Sequence, residues 1–490
     1  MNIIETIDRW AEKSPLAAAH ISDGRITTYH NLVEHSDWIA AHLAGILKDD
    51  HAPVMVRGHK ENEMLVAFLG IVKSGHPYIP VDNNLPEKRV EAIREISQSP
   101  LILTVDDIKE IIAKQAAVKP ARVRRKINPE DPWYILFTSG STGDPKGVVL
   151  TTGCLDTYLE WTLAEQQFKE GGEVFLNQAP FTFDMSVLDI YCAWTTGGAV
   201  FSLTKDNLND PPTMYKALYE SGITVWHSTP SFAQMCLIEP GLSTANIPCL
   251  RKIIFLGETL SPETAADMQA RFPEAKVWNT YGPTEATVAT SSVLVDRAVL
   301  EKYSPLPIGY PTTGCRTIIL NPQGHQLPAE ERGEIIIVGP NVSPGYLGRP
   351  DLTAKAFFTY QGQPAYHTGD LGYIRDGLLF YVGRMDNQIK LHGYRIELGD
   401  IEANLRDLEA VQDAVVLPLM KNGVAESLAA FIILKTELPG SDFEKTRTLK
   451  KALNQHLPAY MVPRRFTFMD KFPMNNNGKA DRKKLAETLA

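Results

Sequence analysis

The chain reads as an α/β protein: a large N-terminal domain with mostly parallel sheets flanked by helices, then a small mobile C-terminal α+β domain. Three observations predict this. Apolar runs of strand length alternate with helical segments, the pattern of substantially parallel sheets. At 490 residues the chain exceeds what one hydrophobic core organises. Past about residue 385 the pattern changes to a compact unit of about 100 residues, a plausible separate domain.

The elements follow in order. Met1-Asn-Ile-Ile-Glu-Thr-Ile-Asp-Arg-Trp10 is an amphipathic helix with Ile3, Ile7 and Trp10 on one side. Strand-like runs are Pro53-Val-Met-Val56, Trp133-Tyr-Ile-Leu-Phe137, Thr224-Val-Trp226, Lys252-Ile-Ile-Phe-Leu256 and Glu334-Ile-Ile-Ile-Val338. Helical segments include 63–74 and 262–272. Beyond Gly383-Arg-Met-Asp-Asn-Gln-Ile-Lys390 come a helix over 398–408, strands over 413–419 and 427–434, and a helix over 447–455. Domains of 1–385 and 386–490 result. The polar, proline-free boundary suits a hinge at Asp386.

Composition excludes several classes. Hydrophobic residues make up 44% and charged residues 22%, ordinary for a globular enzyme. A net charge of -9 argues against a nucleic-acid partner. No run approaches the roughly 18 apolar residues of a membrane span, and the N-terminus lacks signal-peptide regions. The five cysteines form no CxxC pair, so reduced thiols and a cytoplasmic setting are expected.

The loop Thr138-Ser-Gly-Ser-Thr-Gly-Asp-Pro-Lys-Gly147 follows an apolar strand. Gly140, Gly143 and Gly147 let main-chain N–H groups approach a ligand. Thr138, Ser139, Ser141 and Thr142 add hydroxyl donors, and Lys146 adds a positive charge. The set suits a polyphosphate, although the spacing is not that of a Walker A loop. A flexible surface turn is the competing reading.

This loop resembles the signature of the adenylate-forming superfamily: acyl-CoA synthetases, luciferases and the adenylation domains of nonribosomal peptide synthetases. Three more matches stand in the expected order: Asn279-Thr-Tyr-Gly-Pro-Thr-Glu-Ala286, Tyr366-His-Thr-Gly-Asp370 with Gly383-Arg-Met-Asp386, and Asn477-Gly-Lys-Ala-Asp-Arg482. The resemblance spans essentially the whole chain. Within the superfamily, the stretches 177–189, 228–232, 281–289 and 388–395 are similar to the D-alanine–D-alanyl carrier protein ligases.

The resemblance implies ATP and Mg²⁺ as cofactors. Its ATP contacts are the loop residues Thr138 to Gly143 with Lys146, then Asn279, Thr280, Tyr281, Gly282, Pro283, Thr284, Asp370, Tyr381 and Arg384. Asn279 can pair with the adenine edge, Tyr281 can stack on the ring, and Thr284 can bond the α-phosphate. Glu285 is the metal candidate. Asp370 and Arg384 match the ribose-binding pair, though an Asp after Thr-Gly is otherwise a turn residue. Tyr381 can equally be a packed aromatic.

Asp184 bears on the substrate class. It stands among Phe181, Phe183, Met185 and Val187, where a buried carboxylate needs a cation such as a substrate ammonium. A helix N-cap is the alternative. Further pocket candidates are Phe183, Thr229, Pro230, Leu256, Gly257 and Val288. Many members of the resembled family carry cysteine where this chain has Leu256, which leaves the chirality of the amino acid open. Leu256 can also simply end a core strand. Lys479 would be a solvated surface lysine by its surroundings. The resemblance makes it the catalytic lysine, bridging substrate carboxylate and α-phosphate.

The implied partners are D-alanine and a phosphopantetheine-bearing D-alanyl carrier protein, in the first step of lipoteichoic acid D-alanylation. The expected state is a monomer without membrane insertion. Alternatives are an adenylating ligase for an L-amino acid or other small acid feeding a peptide or polyketide carrier, an acyl-CoA synthetase, and a non-catalytic nucleotide sensor.

Overall fold

The computed structural model describes residues 1–47, 51–118, 120–140, 144–386, 388–391, 393–421, 424–474 and 480–489. The chain divides into two compact units. One comprises Met1–Asn83, Ser97–Leu136 and Val148–Gly383, the other Asn84–Ile96, Phe137–Gly147 and Arg384–Ala490.

The first unit is built on three sheets. The nine-stranded sheet has a parallel centre: Lys276–Tyr281, Lys252–Phe255, Val225–Ser228, Val174–Asn177, Ala199–Ser202 and Ala18–Ser22 run side by side. Its edge strands, Arg25–Thr28, Ser291–Leu294 and Tyr310–Pro311, pair antiparallel. A six-stranded sheet holds Val54–Gly58 between the parallel strands Tyr78–Asp82 and Leu101–Thr104, with Pro132–Thr138 beside Tyr78–Asp82. Helices fill between. Helix Ile3–Lys13 starts where the Asn2 side chain accepts the Glu5 N–H, and it buries Ile3, Ile7 and Trp10. In helix Met185–Thr196 every residue is buried, so it is a central helix with no wet face.

The third sheet departs from the expected parallel pattern. Arg316–Leu320, Gly333–Val338, Gln363–Arg375 and Phe357–Tyr360 pair antiparallel throughout. The reason is in the connections. Residues 321–332 carry Pro322 and Gly324 and turn back without a crossover helix, and a parallel pair needs such a crossover.

In the second unit, Val424–Leu434 lies between Val411–Lys421 and Gln388–Leu391, and Arg465–Phe468 also pairs with it. Leu391, Ile396, Ile401, Leu405, Val416, Ile432 and Leu453 form its core. The later helix spans Asp442–Leu453 rather than 447–455. Ser441 and Glu444 form a capping box that starts it earlier than the apolar spacing suggested.

Candidate active site

Asp184 precedes the all-buried helix Met185–Thr196 but does not cap it, because its side chain accepts no helix N–H. It is half-buried rather than enclosed. Its Oδ2 accepts the Thr284 hydroxyl at 2.7 Å. So the two residues, expected to serve amino acid and phosphate separately, meet directly. Leu256 follows strand Lys252–Phe255 and is 2% exposed. It shares one apolar cluster with Phe181, Met185 and Val288, against which Phe183 packs. Gly257 adjoins the same wall: a Cβ added there would touch Met185 Sδ and Thr229 Cγ2, each at 3.4 Å. The expected pocket residues Asp184, Leu256-Gly257 and Val288 stand on three separate loops, with Gly257 set against Met185 and Thr229.

The nucleotide candidates sit at the end of strand Lys276–Tyr281 and are extensively bonded. Asn279 Nδ2 donates to the Pro307 carbonyl at 2.8 Å. That bond uses one N–H of the amide and leaves its oxygen and second N–H outside it. The Thr280 hydroxyl donates to the Phe255 carbonyl at 2.7 Å, which makes it a strand-to-strand tie. The Tyr281 hydroxyl donates to Asp370 Oδ2 at 2.5 Å. Tyr381 lies across from Tyr281, with ring centroids 6.4 Å apart. Gly282 is required by close approach, since a Cβ there would sit 2.6 Å from Ala289 Cα. Pro283 precedes the short 3-10 turn Thr284–Ala286. Glu285 in that turn is fully buried and its Oε1 accepts the Tyr346 hydroxyl at 2.8 Å.

The phosphate loop belongs to the second unit. Ser141, Thr142 and Gly143 lie outside the described residues, as does Lys479. At Gly140 a Cβ would collide with the Asp144 carbonyl oxygen, so no side chain fits there without a shift. Thr138 Oγ1 is buried with no partner among the described residues. Ser139 Oγ donates to the Arg395 carbonyl at 3.1 Å and accepts the Glu397 N–H at 3.1 Å. Burial pushes the Glu397 carboxyl up, and the positive charge of Lys146 opposes this. Arg384 grips Asp386 with two bonds, Nε to Oδ1 at 2.9 Å and Nη2 to Oδ2 at 2.5 Å. The expected ribose contact and the expected hinge residue thus form one ion pair.

Comparison with known proteins fits this geometry. The family model for AMP-binding enzymes matches residues 7–347, and the model for the AMP-binding enzyme C-terminal domain matches 400–479. The chain belongs to the AMP-binding enzyme family. A D-alanine--D-alanyl carrier protein ligase of Bacillus anthracis is 44% identical over 99% of both chains. One of Bacillus mycoides is 44% identical with the same coverage. Among solved structures, a Vibrio cholerae adenylation domain in complex with glycyl-adenosine-5'-phosphate superposes with a TM-score of 0.85. It is 22% identical, over 100% of this chain and 97% of that one. The o-succinylbenzoate CoA synthetase of Bacillus subtilis gives 0.84 at 21% identity, over 98% of each. These two structures establish the adenylate-forming fold.

Residues outside the sequence motifs also bond to these segments. Tyr346 holds Glu285, and Asn341 bonds the turn after it from 55 positions away. Lys60 is 1% exposed and donates to the Asn177 and Gln178 carbonyls at 2.9 and 2.8 Å, where the segment leading to Asp184 begins. Lys60 stands in the polar run His59-Lys-Glu-Asn62, which gives no sign of burial, and its partners are more than 100 residues away.

Proposed function

We propose that this enzyme joins D-alanine to ATP. The D-alanine carboxylate attacks the α-phosphate, giving D-alanyl-adenylate and pyrophosphate. The phosphopantetheine thiol of a D-alanyl carrier protein then attacks the acyl carbon and expels AMP, leaving a thioester. The reaction is the first step of lipoteichoic acid D-alanylation and belongs in the cytoplasm, with the enzyme acting as a monomer. The observation that carries this reading is the 44% identity, across essentially the whole chain, to ligases named for that reaction. The half-buried Asp184, aimed by the Thr284 hydroxyl, adds a partner suited to the substrate ammonium.

The residues divide the work. Asp184 binds the ammonium. Leu256, Gly257 and Val288 form apolar walls that favour a small side chain. Asp370, buried and already fixed by Tyr281, accepts ribose hydroxyls. The 138–147 loop offers backbone donors and the Thr138 hydroxyl to the phosphates. Glu285 is the carboxylate for Mg²⁺. One protein carboxylate completed by substrate phosphates is how Mg²⁺ is commonly held. Bound there, the ion would neutralise phosphate charge.

Lys479 supplies the cation where two anions must meet in the transition state. It belongs to a small domain of residues 386–490, which turns about Asp386 so that the lysine leaves before the thiol arm enters. ATP–pyrophosphate exchange across D- and L-alanine, glycine, larger amino acids and short fatty acids tests the substrate. D-alanine should give the highest kcat/KM. A preference for an L-amino acid or a fatty acid would overturn the reading.

A further inference from the structure

Two consecutive residues at the acid pocket adopt a backbone form their side chains disfavour. Thr287 lies at φ +59° and Val288 at φ +65°. Both are β-branched, and β-branched residues rarely enter the left-handed region. Both are also fully buried. The Ala289 N–H donates to the Thr287 carbonyl at 2.8 Å and closes a tight turn around Val288. Such a conformation persists only where its neighbours over-determine it.

Asn341 is that neighbour. It is fully buried. Its Nδ2 donates to the Ala286 carbonyl at 3.0 Å, and its own carbonyl accepts the Thr287 hydroxyl at 2.8 Å. One residue therefore holds Ala286 and Thr287, the two residues that lead into Val288, through side chain and main chain together. The amide has to face the right way, because only its NH₂ can bond the Ala286 carbonyl. The Cys315 thiol decides this by donating to Asn341 Oδ1 at 3.0 Å. Burial pushes the Cys315 thiol up to about 11, so it keeps its proton at neutral pH.

We infer that Asn341, oriented by Cys315, is a positioning residue: it holds the Thr287–Val288 turn in its left-handed form and thereby sets which amino-acid side chains the pocket admits. The inference rests on Val288 being a wall of the amino-acid pocket. Releasing the turn moves Val288 while leaving the Tyr281–Asp370 bond in place. Amino-acid recognition should change and ATP binding should not.

The test measures pyrophosphate exchange of the full-length enzyme with D-alanine, D-2-aminobutyrate and varied ATP. Asn341→Leu keeps the volume and removes the amide. It should raise the D-alanine KM at least tenfold and shift the D-alanine to D-2-aminobutyrate kcat/KM ratio at least fivefold, with the ATP KM within twofold. Cys315→Ala should move the ratio two- to threefold in the same direction, and Cys315→Ser, which keeps a donor, should restore it. The two KM values rising together with an unchanged ratio would mean a purely structural role and overturn the inference. If Asn341→Leu does not fold, the Cys315 pair decides: equal ratios in Ala and Ser variants refute it. Val288→Ala separates the two readings. A ratio unmoved there removes the pocket wall and the inference with it. A ratio moved there but not by Asn341→Leu overturns the inference alone. A wild-type preference for another amino acid replaces the substrate reading only, and the ratio is then taken for that acid.

Discussion

The nucleotide side and the acid side of the first unit are built differently. Nucleotide candidates stand on strand Lys276–Tyr281 and are tied down individually: Asn279 to Pro307, Thr280 to Phe255, Tyr281 to Asp370. Acid candidates stand on three loop positions: Asp184 ahead of its helix, Leu256-Gly257 past the end of a strand, and Val288 in a left-handed turn. A strand supported from both sides holds a ligand that is the same in every turnover. Loops on a rigid scaffold can be reshaped one at a time. On this reading the nucleotide side can stay fixed while the acid side is altered loop by loop.

Breaking each side should therefore leave different signatures. The largest effect is expected outside both, at Lys479. Lys479→Ala should cut adenylation by about 10²–10³ while largely sparing thioester formation from supplied D-alanyl-adenylate; equal loss of both half-reactions in single-turnover assays would contradict its role. On the acid side, Asp184→Ala should cost about 1.5–3 kcal/mol of amino-acid binding, the usual worth of a hydrogen bond to a charged group. That is less than a fully enclosed ion pair would lose, because Asp184 is half-buried. The D-alanine KM should rise and the ATP KM should stay, and a rise in the ATP KM alone would refute the assignment. On the nucleotide side, Tyr281→Phe removes the hydroxyl that fixes Asp370 and should cost about 1 kcal/mol. Here the ATP KM should rise a fewfold with the D-alanine KM unchanged.

The smallest effect sharpens the acid side. Leu256→Cys removes buried volume from the apolar core and should lower stability by about 1–2 kcal/mol in urea unfolding. It should also change the D- to L-alanine ratio more than it changes kcat with ATP. An unchanged ratio would make Leu256 a core residue and nothing more.

The candidate residues of the nucleotide side stand out in the sequence because their motifs are local. Asn279, Tyr281, Thr284 and Glu285 stand within seven residues, and the glycine-rich loop is contiguous. Asp184 was legible as a charge among aromatic residues, but not its half-exposure or its bond to Thr284, which lies 100 positions away. Asn341 and Tyr346 were not legible at all. Tyr346 stands on a two-residue strand of the six-stranded sheet and Asn341 in the segment before it, and their partners lie 61 and 55 positions away in the chain. The left-handed turn was hidden for a related reason: threonine and valine are poor predictors of positive φ, and only the surrounding contacts impose it.

The most direct test of the account supplies the wild-type enzyme with ATP, D-alanine or L-alanine, and a phosphopantetheine-bearing carrier protein, and reads the carrier's intact mass. The account predicts one alanyl group added per carrier from D-alanine, far faster than from L-alanine, and none on a carrier lacking the phosphopantetheine arm. Adenylate formation without transfer, or loading from L-alanine as fast as from D-alanine, would contradict it.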